Sequence, residues 1–180
     1  MFKELREKYA NYLIKKIIVS NQRSKATLNF DTAQNIALLI DASNERDYNL
    51  IKDFIKELRE QKKNIKSISY FNQKETPKME FSKLEYDFIS NKELNWHYKA
   101  NDIYIPAFVN ENFDVLINLS INSPIPLNFI AAESKAKFKI GADSNWGSKI
   151  YDLHLELSID TPQKTYLEHL KHYLKLIHSK

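Results

Sequence analysis

Two aspartates close apolar runs in this chain of 180 residues: Asp41 ends Asn35 to Asp41 (NIALLID), and Asp143 follows Lys137 to Ala142 (KFKIGA). Two carboxylates brought to one cleft could perform acid–base chemistry or hold a hard cation, so Asp41 and Asp143 are the candidate catalytic residues. Polar side chains occupy equivalent places. Ser43 and Asn44 follow the first run, Asn72 follows Ile65 to Phe71, and Asn118, Ser120 and Ser123 lie at the end of Phe113 to Ser120 (FDVLINLS) or just beyond it. If these runs are strands of an open α/β sheet, the whole set sits at carboxyl ends, where such sheets bind ligands. Ser43, Asn44, Asn118 and Ser120 are therefore candidate ligand contacts. Asp41 also has a structural use, as the acceptor for the amides of its own turn.

His169 and His172 share a helical face with Glu168, and a metal site there would want a third strong ligand such as His154. Lys171 and Lys175 alongside make this a solvated basic face, and no metal or other cofactor is expected. His97 and His178 have no recognisable partners. Asn95-Trp96-His97 and Asn145-Trp146-Gly147 each set a tryptophan among polar loop residues. Such a ring stacks on a base or sugar, or anchors a long loop to the sheet; Trp146 is kept as a candidate ligand contact. The sequon Asn118-Leu119-Ser120 falls inside a predicted buried strand and is read as chance.

The net charge of +4 is unevenly placed. Residues 1–28 carry seven basic side chains (Lys3, Arg6, Lys8, Lys15, Lys16, Arg23 and Lys25) against Glu4 and Glu7, a surplus of five, whereas the remainder holds 20 basic and 21 acidic residues. That asymmetry points to an anionic partner for the N-terminal arm, such as RNA or a ribonucleoprotein, anionic lipid or an acidic protein surface. The arm reads as an amphipathic helix with Phe2, Leu5, Tyr9, Tyr12, Leu13 and Ile17 in its apolar stripe, ending in the polar stretch Ser20 to Lys25. Such a stripe packs on the body of its own domain or, by swapping, on a second copy in a homodimer.

Composition excludes several chemistries. Average usage would give about a dozen glycines in this length, but the chain has only Gly141 and Gly147. Neither belongs to a Walker loop, a dinucleotide fingerprint or a nucleophile elbow. The absence of cysteine removes disulfides, thiolate metal sites and thiol nucleophiles. No run approaches a membrane span, and the N-terminal apolar run is broken by Lys15 and Lys16, so a soluble cytoplasmic protein is expected.

The elements follow from periodicity. NIALLID suits a strand buried on both faces. Ser43 and Asn44 offer an N-cap for a helix from about Glu45 to Lys63, with Leu50, Ile51, Phe54, Ile55 and Leu58 on one face. Ile65 to Phe71 completes a strand, helix, strand crossover and implies a parallel sheet. Asn72 to Lys83 is polar, Tyr86 to Ile89 suits a short edge strand or part of a helix, and Asn91 to Asn110 is irregular with one short element. Strands at Phe113 to Ser120, Lys137 to Ala142 and Tyr151 to Leu157 flank a short helix over Leu127 to Ser134. A closing helix has Thr161 as N-cap and Pro162 at its first position. The expectation is one Rossmann-like α/β domain of three layers (residues 29–180), a mostly parallel sheet of about five strands, preceded by the basic helical arm (residues 1–28).

The segment Phe113 to Gly141, FDVLINLS followed by PLNFIAAESKAKFKIGA, resembles the strand, helix, strand stretch of the acceptor-side lobe of heptosyltransferase-type glycosyltransferases. That resemblance covers about 30 residues of 180 and implies a remnant lacking the donor lobe. The layout LLIDASNERD, ISYFN, DFISNKELNW, FDVLINLS, KFKIG and YLEHLKHYL is similar over nearly the whole chain to a family of short uncharacterised Bacteroidetes proteins, which implies a single domain and transfers no activity. Together these readings favour a non-catalytic cytoplasmic binding or accessory protein whose basic arm engages an anionic macromolecular partner, with an RNA–protein assembly foremost. The rival is a small-molecule binder or glycosyltransferase-like remnant using Asp41, Asn118, Ser120 and Asp143.

Overall fold

In a computed structural model, residues 2–73, 86–101, 103–142, 146–158 and 160–177 are described; Asp143, Asn145, His178 and most of the polar stretch after Asn72 lie outside them. Apolar runs at Asn35–Asp41 (β1), Asn64–Phe71 (β2), Val115–Asn118 (β4) and Phe138–Ala142 (β5) form the middle of one parallel sheet. Tyr86–Ser90 (β3) and Leu153–Leu155 (β6) close its two edges, giving the order β3-β2-β1-β4-β5-β6. The sheet thus has six strands rather than five, all parallel. The extra one is β3, which pairs with β2 alone and, as an edge strand, has no long apolar run to announce it. The strand expected over Tyr151 to Leu157 shrinks to three residues because Tyr151 turns into the core.

Alternation along β1 separates two cores. Ile36, Leu38 and Ile40 face Tyr48, Ile51, Phe54, Ile55 and Leu58 of α2 (Glu45–Glu60) and Tyr166, Leu167, Leu170 and Leu174 of α6 (Gln163–Leu176). Ala37 and Leu39 face α1 (Phe2–Ser20), α3 (Ile105–Asn110), α4 (Ile125–Glu133) and α5 (Gly147–Ile150). The halves of the sheet run outward in opposite directions from β1 and β4, so crossovers of one hand must place α2 and α4 on opposite faces. That produces the three layers.

Local chemistry sets the helix ends. Asn44 caps α2 through its Oδ1, which accepts from the Arg46 amide at 3.0 Å. The other end closes on Lys62 at φ 60°, with the Lys62 amide donating to the Arg59 carbonyl and the Lys63 amide to the Leu58 carbonyl; this is the paired closure usually built on glycine. Pro162, not Thr161, is the N-cap of α6, and Gln163 is its first helical residue. Gly141 is required for another reason, since a Cβ there would lie 2.6 Å from the Tyr151 ring.

Candidate switch-point cleft and outer face of α1

Strand order reverses between β1 and β4, which opens a crevice beyond their carboxyl ends. Asp41, Ser43, Asn44 and Ser120 all line it, joined by Asp47, Thr161 and Lys164, around a volume of about 400 Å³. Local turns already use much of their hydrogen-bonding capacity. Asp41 Oδ1 accepts from the Ser43 amide at 3.0 Å, the self-capping turn anticipated for it. Ser43 Oγ accepts from the Asn72 amide, and Ser120 Oγ from the Ser123 amide.

Asn118 does not line this cleft. It is fully buried at the end of β4, where its Nδ2 donates to the Tyr151 hydroxyl at 2.7 Å and its Oδ1 accepts from the Ser120 amide. Its carbonyl accepts from the Tyr166 hydroxyl at 2.6 Å. Burial raises both tyrosines above their ordinary range, so both stay neutral. Sequence patterning missed this network because Tyr151 and Tyr166 read as ordinary apolar positions. Trp146 is also buried, 6% exposed, inside the core under α4 and α5. His154 and His169 line one groove with Glu156, yet no three metal-binding side chains converge among the described residues.

The basic arm divides in two. Arg6 donates from Nε to the Trp96 carbonyl and lies 4.3 Å over the Tyr98 ring. The Arg23 side chain, 7% exposed, donates to the carbonyls of Ala136 and Lys137 and to both carboxylate oxygens of Asp152 at 2.6 Å. These arginines fasten the arm to the body. Lys25 also pairs with Asp152, at 3.3 Å, but remains 71% exposed, and Lys3, 81% exposed, approaches Glu7 on its own helix. Lys8, Lys15 and Lys16 are exposed.

The apolar face of α1 also departs from expectation. Ala10 and Ile14 are its buried residues, with Leu13, Ile17 and Ile18 half-buried against the same core, because α1 lies close on α4. Phe2, Leu5, Tyr12 and Val19 are instead 78, 60, 54 and 88% exposed. Tyr9 stacks on the exposed Trp96 with ring centroids 4.9 Å apart. A helix with apolar residues on both sides cannot signal from its own sequence which side docks. The available clue is the seven-residue recurrence of Phe2 with Tyr9 and of Leu5 with Tyr12 and Val19.

A family model described as a family of unknown function (DUF6913) matches residues 6–177. The chain belongs to this family. The DUF6913 match runs from within α1 to just past α6; it takes in the cleft and, of the outward helix face, Tyr12 and Val19 but not Phe2 or Leu5. No curated protein matches the chain. Among the described residues of this DUF6913 member, no helix is long and apolar enough to cross a membrane.

Proposed function

We propose that this protein is a non-catalytic cytoplasmic binding or accessory protein that engages an anionic macromolecular partner, an RNA–protein assembly, through the outer face of α1. The observation that carries the reading is the coincidence on one helix of four large apolar side chains more than half exposed (Phe2, Leu5, Tyr12 and Val19) with the exposed lysines Lys8, Lys15 and Lys16. Apolar groups grouped on one surface favour a macromolecular contact, and lysines beside them favour anionic groups that release counterions on binding. An RNA–protein assembly offers both chemistries. Co-purification of wild type and the Lys8→Glu/Lys15→Glu/Lys16→Glu variant, at low and high salt and with and without ribonuclease, tests it. Wild type should retain RNA-containing complexes at low salt and the variant should lose them; identical, salt-insensitive recovery would refute the reading.

The convergence of Asp41, Ser43, Asn44 and Ser120 on the switch-point cleft supports a second reading, a small-molecule binder or the glycosyltransferase-like remnant implied by the resemblance of Phe113 to Gly141. It expects a saturable rise in melting temperature with a sugar of the acceptor type, such as a monosaccharide or disaccharide, abolished by Ser120→Val. A flat titration across such ligands counts against it.

A further inference from the structure

We propose that the outer face of α1 is a docking seam for a single amphipathic helix of a partner protein, with acidic residues along that helix's flanks. This rests on the docking role assigned to α1 above and names the element that would occupy it.

The seam has helix-pairing spacing. Phe2, Tyr9 and Lys16 recur every seven residues in one row, and Leu5, Tyr12 and Val19 do so in the next. Two such rows, alternately three and four residues apart, form the stripe that one helix presents to another. Ala10 and Ile14 face the body, so the stripe is the side of α1 that its own domain leaves uncovered. The helix has 19 residues; at 1.5 Å per residue it offers about 28 Å of contact. Trp96 widens the surface beside Tyr9.

Charge selects the occupant. Lys8 and Lys15, seven apart, run along one flank, and Lys16 lies within the stripe in line with Phe2 and Tyr9. The other flank is occupied by Arg6, engaged with Trp96 and Tyr98, and by half-buried Leu13. A second copy of the chain would set lysines against lysines. A bilayer would have to accommodate Lys16 within the embedded face. Single-stranded RNA would pair with the lysines but leave Leu5 and Val19 without apolar contact. An acidic-flanked helix satisfies both rows and the lysines.

The test uses the full-length chain and fluorescein-labelled helical peptides of four heptads, with leucine at the stripe positions and either glutamate or lysine at the flanks. Fluorescence anisotropy should show saturable, salt-sensitive binding of the glutamate peptide and none of the lysine peptide. Lys8→Glu/Lys15→Glu should weaken the glutamate peptide by about tenfold or more and gain binding of the lysine peptide. Leu5→Glu/Tyr12→Glu should abolish binding; both residues are more than half exposed, and an unchanged circular dichroism spectrum confirms the fold. Equal binding of both peptides, or of neither, overturns the proposal. So does tighter binding to poly-uridylate or to vesicles of phosphatidylcholine with phosphatidylglycerol, or a dimer by light scattering that Leu5→Glu/Tyr12→Glu dissolves. Lysine-dependent poly-uridylate binding without peptide binding would remove the helix partner while leaving the docking role of α1 standing; loss of every lysine-dependent interaction removes both.

Discussion

Lys139 is 2% exposed, yet its amino group has a structural role, since Nζ donates to the Ala131 carbonyl at the carboxyl end of α4. Burial, with Arg23 nearby, lowers its pKa from 10.5 to about 7. The unfolded chain keeps this proton up to the ordinary lysine value, so between about 7 and 10.5 the unfolded state binds more protons. Stability from this group is therefore greatest above 10.5 and falls as pH drops towards 7. Lys139→Met should flatten that slope, so the gap in denaturation midpoint between wild type and variant should change from neutral pH to about pH 9.5; a gap constant across that range would contradict the account. Lys63 repeats the device, with Nζ donating to the carbonyls of Phe30, Asp31 and Ala33 at 2.7 to 2.8 Å. Neither lysine differs in sequence from a solvated one; only the carbonyls that the fold brings to it, from the preceding helix for Lys139 and from residues 30–33 for Lys63, make burial tolerable.

Among elements, α2 shows how the scarcity of glycine is met. Lys62 holds the left-handed position that ends the helix, and a side chain there costs about 1 kcal/mol relative to glycine. Lys62→Gly should raise stability by roughly that amount in chemical denaturation, less the entropy glycine returns to the unfolded chain; a destabilised variant would show that the Lys62 side chain contributes packing instead. The central strands were legible because β1 and β4 are buried on both faces and read as continuous apolar runs. β3 was not. Ile89 and Ser90 are buried while Asp87 and Phe88 are only partly covered, and five residues of that pattern fit an edge strand or one turn of helix equally. α1 was legible as a helix but not in orientation.

For the whole molecule, the arm and the body form one packed unit. Ala10 and Ile14 of α1 join the core beneath α4, Asn21 donates to the carbonyls of Ala132, Glu133 and Ser134, and Arg23 reaches Asp152. Removing residues 1–28 should therefore lower the melting temperature and raise binding of a hydrophobic dye. Lys8→Glu/Lys15→Glu/Lys16→Glu should stay within about 0.5 kcal/mol of wild type, as exposed substitutions do. A truncated chain as stable as the full one would show that the packing of α1 contributes little. The point variant, not the truncation, separates binding from folding.

The sequence by itself determined the α/β class, the parallel sheet, the position of Asp41, Ser43, Asn44 and Ser120 at or beyond the ends of β1 and β4, and the concentration of positive charge in residues 1–28. These are properties of residue types taken in order, set by apolar periodicity, turn chemistry and formal charge. Tertiary structure alone decided that Asn118 and Trp146 face inward, that Arg6 and Arg23 fasten the arm while the lysines stay outside, and that Phe2, Leu5, Tyr12 and Val19 face solvent. Each depends on which segment arrives opposite a side chain. Local spacing cannot encode that when a helix is apolar on two sides or when a polar group finds its partner in a segment far along the chain.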